Sequence, residues 1–210
     1  RVELTAQLLR MTRMEPFRAR QAGLLSGGMK QKLALCCALI YKPEVLLLDE
    51  PTTGVDPVSR REFWDVLAAL ASEGVTIVVA TPYLDEAERC NRIALMYEGQ
   101  IQQIGTPTEL KNSLGLHRLE VRTSQLEAVE ETLEAQSQSG GATAIRDVQT
   151  FGDRLDILVS DIKTGETQVR QLLSQNHLPL DSLDQTQPTL ENVFVARLRQ
   201  QGLEPPFISF

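Results

Sequence analysis

The apolar positions in the first half of the chain recur at two spacings, one typical of helices and one of buried strands. Leu4, Leu8 and Met11 share one face of a predicted first helix, which ends before Pro16. Two apolar runs, at 44–49 and 75–81, are too short for helices and are typical of parallel strands covered on both faces. The other predicted elements are a helix with Met29, Leu33, Cys36, Cys37 and Ile40 on one face, helices at 56–71, 85–90 and 106–114, and a hairpin of 92–97 and 101–104. Because strands alternate with helices, this half is predicted to be an α/β unit with a parallel sheet.

The second half of the chain shows another order of elements, which begins near Gly115. The predicted elements are strands at 117–123, 144–150, 154–160 and 178–183, helices at 125–135 and 166–176, and a polar loop at 136–141. The order β-α-β-β-α-β is typical of the ferredoxin-like plait. Thr189 is predicted to cap a last helix. The inward face of that helix is predicted to carry Leu190, Val193, Phe194 and Leu198.

These patterns predict two domains and a short tail. Residues 1–115 form the α/β unit, residues 116–200 a small α+β ferredoxin-like domain, and residues 201–210 a linker. The chain opens on Arg1 rather than methionine and ends in P-P-F-I-S-F, so we expect a piece of a longer protein. No apolar run approaches the roughly 20 residues that a membrane-spanning helix needs.

Composition limits the classes of partner. The 210 residues are 42% hydrophobic and 23% charged, which is ordinary for a protein with one or two packed cores. The net charge is −7, from 21 basic and 28 acidic residues. This argues against nucleic acid as the main partner, because such binding is dominated by Lys and Arg on phosphates. The three cysteines, two of them adjacent in an apolar helical run, are predicted to be buried thiols in a reducing compartment.

The segment L-S-G-G-M-K-Q, residues 25–31, lies where a loop enters the second predicted helix. Gly27 and Gly28 lack side chains, so backbone N–H groups can approach an anion closely. The positive end of the helix dipole and the Ser26 hydroxyl would add to that attraction. The alternative is a plain glycine turn before a helix.

Two adjacent carboxylates, Asp49 and Glu50, follow the first buried strand directly. Ligands bind at this end of the strands in open α/β sheets, and carboxylates there are costly to bury without a cation or water network. Asp49 suits Mg²⁺, which prefers oxygen ligands and keeps several waters. Glu50 would point elsewhere and could orient or deprotonate an attacking water. The alternative is a solvated acidic pair.

Together with the loop at 51–57, these segments resemble the ATP-binding cassette (ABC) ATPases. L-S-G-G-M-K-Q resembles their signature motif, V-L-L-L-D the Walker B strand and G-V-D-P the D-loop. The resemblance implies that residues 1–115 form the C-terminal half of a P-loop NTPase nucleotide-binding domain, with Glu50 catalytic and Asp49 binding Mg²⁺ through water. The nucleotide-binding residues that it implies are Ser26, Gly27, Gly28, Met29, Gln31 and Asp56. The plait and the segment Q-P-T-L-E-N-V-F, residues 187–194, resemble the C-terminal extension of drug- and ion-export ATPases of the ABC-2 type.

Two departures from the family pattern stand out. The phosphate-binding G-x-x-x-x-G-K-[ST] loop is missing, since none of the 13 glycines is followed by lysine. The family's switch histidine would fall at position 82, in T-P-Y-L-D-E-A-E, where this chain has Pro82. Proline offers no side-chain donor to a γ-phosphate. Tyr83 could supply a phenol donor, but it lies one position further along and would point another way.

The resemblance also implies partners, cofactors and a location. In the family two cassettes pair head-to-tail around two ATP molecules, so we expect ATP, Mg²⁺, a second nucleotide-binding domain in the same chain or a homodimer, and transmembrane permease subunits. Ser26, Gly27 and Gly28 would clamp ATP on the partner's P-loop, while the chain's own site would be weakened by Pro82. The chain alone is not expected to hold ATP well. It resembles the first cassette of tandem-cassette exporter ATPases, cytoplasmic and peripheral on the inner face of the cell membrane.

Other functions remain open at this stage. A regulatory cassette that never hydrolyses ATP would also carry a defective switch position. A ribosome-acting ABC protein is less favoured, because those proteins carry D-E-P-T-N-H-L-D where this chain has D-E-P-T-T-G-V-D-P. The plait could dimerise, sense a ligand or only brace the ATPase.

Overall fold

A computed structural model of the chain describes residues 2–138 and 143–203. Its contacts divide the chain into two compact units, Arg1–Tyr83 and Leu84–Phe210. Among the described residues, no helix is both long and apolar enough to cross a membrane. The division between the units falls earlier in the chain than the domain boundary expected near residue 115.

The first unit contains three helices and a pair of parallel strands. Its elements in chain order are α1 (Val2–Met11), α2 (Gly27–Leu39), β1 (Val45–Asp49), α3 (Pro57–Ser72) and β2 (Thr76–Ala80), with two 3₁₀ turns at Glu15–Phe17 and Ala22–Leu24. The register pairs Val45 with Thr76 and Asp49 with Ala80. The predicted helices and strands of this unit are therefore confirmed to within a few residues.

The helices pack around α2 and α3. Helix α3 buries Phe63, Trp64 and Leu67 along one side. The Lys32 ammonium, buried on α2, forms an ion pair with Glu62 of α3, and Arg13 reaches the same carboxylate at 2.7 Å. The hydrogen bond from Lys32 is the main cause that lowers the pKa of Glu62. A buried cation is thus paired where α2 meets α3, as burial of charge requires.

One expectation about the strands is wrong. The two apolar strands were expected to be covered on both faces, yet Val45, Leu47 and Val78 are 53%, 74% and 54% exposed. On the other face Leu46 is buried and Leu48, Ile77 and Val79 are half-buried, so only one face of the sheet is packed. The physical reason is that this sheet has two strands, with α3 packed beside β2. An apolar sheet face is left open to solvent.

The second unit begins with a short helix, a hairpin and another helix. These are α4 (Leu84–Ala87), β3 (Ile93–Tyr97), β4 (Gln100–Gly105) and α5 (Pro107–Asn112). The predicted capping box is confirmed, since Thr106 accepts from the Glu109 N–H at 3.2 Å and Glu109 accepts from the Thr106 N–H at 2.8 Å. Helix α4 is shorter than predicted and ends at Ala87.

The rest of the second unit is the plait. Its elements are β5 (His117–Arg122), α6 (Leu126–Gln138), β6 (Ile145–Phe151), β7 (Arg154–Val159), α7 (Ile162–Gln175), β8 (Ser182–Thr186) and α8 (Leu190–Gln200). The strands form one antiparallel sheet in the order β6-β7-β5-β8. This is the ferredoxin-like order expected from the sequence. Leu119, Val121, Leu155 and Ile157 lie on the face of the sheet that contributes to the apolar core, and all four are fully buried.

Some boundaries in the plait differ from the prediction. Helix α6 continues through Gln138 where a loop was expected from residue 136, and residues 139–142 of that loop lie outside the described residues. Helix α7 begins four residues earlier than predicted because Asp161 caps it, with its carboxylate accepting from the Thr164 N–H at 2.8 Å. Strand β8 lies at Ser182–Thr186 and therefore shares only residues 182 and 183 with the predicted strand. Of the expected linker, residues 204–210 lie outside the described residues.

The early division between the units has a packing explanation. Ile93, Leu95 and Leu110 share an apolar cluster with Leu190 and Val193 of α8. Part of the apolar surface of residues 84–114 is therefore buried together with α8. Their assignment to a cassette domain stays a prediction from the motifs.

Candidate functional site

The glycine-rich segment forms the start of α2, as the sequence predicts. Ser26 caps the helix, and its hydroxyl accepts from the Met29 N–H at 3.3 Å. The first N–H groups of a helix have no acceptor within the helix, so that of Gly27, which is exposed, is available to an anion, whereas Gly28 is buried. Ser26 and Gly27 are exposed, while Met29 and Gln31 are half-buried.

Gly28 has a second role that the sequence did not reveal. A Cβ atom at this position would lie 2.6 Å from Ser59 Cβ, 2.9 Å from Ser59 Oγ and 3.1 Å from Val55 Cγ1. A Cβ at Gly27 would meet only the Gly54 carbonyl, at an ordinary 3.6 Å. Gly28 thus lets α2 pack directly against the loop and first turn that begin α3.

The acidic pair lies at the end of β1 with both side chains exposed. The Glu50 N–H donates to the Ala80 carbonyl at 2.8 Å, which continues the pairing with β2 by one residue. Glu50 has a φ of 44°, a left-handed conformation that costs a residue with a side chain about 1 kcal/mol. Its carboxylate accepts from the Thr53 hydroxyl at 3.0 Å. The strand end therefore holds Glu50 in a specific, strained position.

The residues at this strand end fit a magnesium ion only in part. Asp49 offers carboxylate oxygens, the donors that Mg²⁺ prefers, at an exposed position where waters can complete the coordination. Within the described ranges no group of three or more His, Cys, Asp or Glu side chains is arranged to hold a metal. The chain could thus supply one ligand of a magnesium site that other groups complete.

Asp56, predicted to bind nucleotide, caps α3. Its carboxylate accepts from the Ser59 N–H at 2.9 Å, and Pro57 occupies the first helical position. The Ser59 N–H, with a smaller contribution from the Ser59 hydroxyl, lowers the pKa of Asp56 below its usual range. Asp56 is therefore charged near neutral pH and serves the helix start. The structure thus shows Asp56 as a helix cap, and its role in nucleotide binding stays a prediction.

The switch position lies just beyond β2. Pro82 is exposed, and the Thr81 hydroxyl accepts from the Tyr83 N–H at 3.1 Å in a tight turn. The Tyr83 ring lies under the Arg60 guanidinium, 4.2 Å from its carbon to the ring centroid, in a cation–π contact. This contact holds Tyr83 against α3. Sequence reasoning missed Arg60, because no motif links residues on separate elements.

The pairing of the strands brings two of the predicted groups together. Since β1 and β2 run parallel, Asp49 and Glu50 follow one strand at the same edge where Thr81 and Pro82 follow the other. The signature segment and the start of α3 meet separately, through Gly28 and Ser59. In this first unit the predicted site residues therefore lie in two places, at the end of the paired strands and where the start of α2 meets the start of α3.

Comparison with known proteins identifies the family of the chain. Residues 2–53 match the family described as ABC transporter, and residues 105–197 match the family described as ATP-binding protein DrrA1-3-like, C-terminal domain. A nucleotide-free ATP-binding cassette from an ABC transporter aligns with a TM-score of 0.50 and 28% identity, over 54% of this chain and 46% of that one. The chain belongs to the ABC transporter ATP-binding proteins.

Several relatives in that class are described as multidrug or drug-resistance ATP-binding proteins. The chain is 52% identical over 114 residues to the probable multidrug ABC transporter ATP-binding protein YbhF of Escherichia coli (strain K12), covering 54% of this chain and 20% of that protein. It is 35% identical over 195 residues to the daunorubicin/doxorubicin resistance ATP-binding protein DrrA of Streptomyces peucetius, covering 92% of this chain and 58% of that protein. The chain thus spans a fifth of one relative and just over half of the other.

Proposed function

We propose that this chain is the C-terminal part of a cassette that couples ATP hydrolysis to export through separate transmembrane permease subunits. One observation supports this proposal above the others. Glu50 and the switch position follow paired parallel strands at the same sheet edge, and Pro82 occupies the position where the family has a histidine. The acidic pair keeps the groups for hydrolysis, and the switch position has lost its side-chain donor. The chain's own ATP site is therefore slow.

ATP and Mg²⁺ are the cofactors of this proposal. When bound, the nucleotide supplies the phosphoric anhydride that is hydrolysed, and the metal neutralises charge on its phosphates. Asp49 would hold the metal through water, and Glu50 would orient the attacking water. The 210 residues contain no Gly-Lys pair, so this proposal assigns the cradle for the phosphates to the rest of the cassette.

The partner of the cassette is a second nucleotide-binding domain. Ser26 and Gly27 are exposed at the start of α2, where they could clamp the γ-phosphate of ATP held by that partner. The partner is either a second domain in the same polypeptide or a second copy of the protein, and the length of YbhF leaves room for the first arrangement. The 114 matched residues are 20% of YbhF, whereas 195 are 58% of DrrA, so YbhF is much the longer protein.

The exposed sheet face supports the idea that this chain is part of a larger domain. Val45, Leu47 and Val78 form an apolar face that is exposed to solvent. Apolar faces of parallel sheets are normally covered by other elements of the same domain. We propose that the rest of the cassette covers this face, and that the assembled protein sits on the cytoplasmic side of the cell membrane beside its permease.

The test is ATP turnover by the complete protein. Pro82→His is expected to raise turnover, because it restores a donor beside the acidic pair, and Glu50→Gln in the Pro82→His background is expected to remove that gain. Loss of a general base typically lowers a rate by about 10² to 10⁴. Glu73→Gln, at an exposed glutamate beyond the end of α3, is the matched control and should leave turnover unchanged.

The alternative function is a regulatory cassette that binds ATP without hydrolysing it. Pro82 is the observation that favours it, since a switch position without a donor suits a site that only binds. If Pro82→His leaves turnover unchanged while ATP still binds, the regulatory function is supported and the slow-site proposal is wrong. If Glu50→Gln has no effect in the Pro82→His background, Glu50 is not catalytic in its own site.

A further inference from the structure

Asn192, in the segment Q-P-T-L-E-N-V-F, is fully buried and uses all of its hydrogen-bonding capacity. Its side-chain oxygen accepts from the Thr189 N–H at 2.8 Å and from the Thr189 hydroxyl at 3.0 Å, which completes a capping box at the start of α8. Its amide nitrogen donates to Gln149 Oε1 and Asp156 Oδ2, each at 2.9 Å. One side chain thus both caps α8 and ties that helix to the plait sheet.

The two residues that accept hydrogen bonds from the Asn192 amide, Gln149 and Asp156, are themselves buried and hydrogen-bonded to other groups. Asp156 of β7 has no exposed surface, and its carboxylate also accepts from Arg118 at 3.1 Å and Arg154 at 3.3 Å. Gln149 of β6, also buried, returns a bond from its amide nitrogen to the Asn192 carbonyl at 3.3 Å. A buried carboxylate with this set of donors is costly to disturb, because any lost partner leaves charge or polarity unpaired in the interior.

The other side of α8 packs on the first elements of the second unit. Leu84 and Ala87 of α4, with Cys90 just after it, pack against the cluster that contains Leu190 and Val193. Phe194 meets the Tyr97 ring edge-on at 6.2 Å. Helix α4 has a single turn of its own, so its position depends on this packing.

The charges around Glu191 agree with this placement of α8 between two neighbours. Burial raises the pKa of Glu191, and the Arg154 guanidinium opposes that rise. Carboxylates from both sides raise it further, Asp156 on β7 and Asp85 and Glu88 at α4. The start of α8 therefore lies within electrostatic reach of the sheet and of α4 at once.

We propose that Asn192 is a positioning residue through which the C-terminal plait holds α4, the helix that begins directly after Pro82 and Tyr83. The plait then fixes the position of the segment that follows the switch position, and α8 connects the plait sheet to that segment. The expected effect of Asn192 on ATP turnover rests on the proposed function. The inference that Asn192 holds α4 in position does not depend on that function.

The test is hydrogen exchange in the complete protein, with Asn192→Asp as the main variant. This change keeps the oxygen that caps α8 but removes the amide donor and places a carboxylate beside Asp156. The probes are the N–H groups of Glu88, Arg89 and Cys90, which bond to Leu84, Glu86 and Ala87 in and after α4. We expect their protection to fall about tenfold, the size that loss of buried hydrogen bonds produces.

Gln200→Glu is the matched control, since it makes the same amide-to-carboxylate change on the exposed end of the same helix. Arg199→Gln is a milder variant in case Asn192→Asp unfolds the protein. It removes the bonds from Arg199 to Asp147 at 2.6 Å and to the Val148 carbonyl at 2.7 Å, on the same sheet. We expect a two- to threefold loss of protection at residues 88–90 in Arg199→Gln and none in Gln200→Glu.

Two results would overturn the proposal. One is unchanged protection at residues 88–90 in a folded Asn192→Asp protein. The other, should that variant not fold, is unchanged protection there in Arg199→Gln. ATP turnover is measured in parallel, with kcat expected to fall several-fold while the KM for ATP stays constant. If the parent protein has no ATPase activity, the proposed function fails but the exchange result still decides the role of Asn192.

Discussion

Substitution of Gly28 by alanine tests why the start of α2 carries two glycines. The new Cβ would lie 2.6 Å from Ser59 Cβ and 3.1 Å from Val55 Cγ1, and the first of these distances is shorter than carbon atoms tolerate. Overpacking of this kind costs about 1–3 kcal/mol, and the better helix propensity of alanine returns up to about 1 kcal/mol. We therefore expect Gly28→Ala to lower the free energy of unfolding by about 1–2 kcal/mol.

The same helix start provides the control. A Cβ at Gly27 would meet only the Gly54 carbonyl at 3.6 Å, so Gly27→Ala should change stability by less than about 0.5 kcal/mol. Urea unfolding of the 210-residue chain can be followed by the fluorescence of Trp64, its one tryptophan, which is buried on the same helix as Ser59.

A double variant identifies the contact responsible. Ser59→Gly removes the two atoms that lie closest to the new Cβ, so the cost of Gly28→Ala should be smaller in that background. Equal losses for Gly27→Ala and Gly28→Ala, or no coupling between Gly28→Ala and Ser59→Gly, would refute the packing explanation. Gly28 would then be required only for its backbone N–H.

Two further predictions concern the interiors of the two units. Glu62→Gln should lower the free energy of unfolding by about 1–3 kcal/mol at pH 7, because Lys32 stays buried without its counter-charge. Since the folded pKa of Glu62 lies below its ordinary value of 4.5, the pair stabilises above that pH, and the difference between parent and variant should vanish as the pH falls through the folded value. A difference that persists in acid would contradict the pairing. In the plait, a Cβ at Gly165 would lie 2.6 Å from Val159 Cγ1, so Gly165→Ala should cost about 1–3 kcal/mol in denaturant unfolding followed by circular dichroism. Val159→Ala should recover part of that cost, and full additivity of the two changes would show that the contact is not the cause.

The plait shows where sequence reasoning succeeds and where it stops. Alternation of Leu155, Ile157 and Val159 predicts a strand with one apolar face, and all three are fully buried. The same pattern leaves Asp156 on the opposite face, where a polar residue is expected to meet water. Asp156 is instead fully buried, because Arg118 and Asn192 from distant parts of the chain supply its partners. Such a network has no local signal in the sequence.

The switch segment shows a similar division. The sequence places Pro82 at the end of a strand and shows that this position has no side-chain donor, because that conclusion depends only on residue type and order. It does not place Arg60 over Tyr83, since that contact depends on how α3 lies beside β2.

By itself, the sequence determined the order of elements, the segment L-S-G-G-M-K-Q, the acidic pair and the proline at position 82. Helix caps, strand periodicity and motif spacing are local properties, so neighbouring residues are enough to specify them. The tertiary structure decided which side chains meet across elements: Gly28 with Ser59, Asn192 with Asp156, and α4 with the last helix of the chain. These contacts join residues far apart in the sequence, and only the packing of whole elements brings them together.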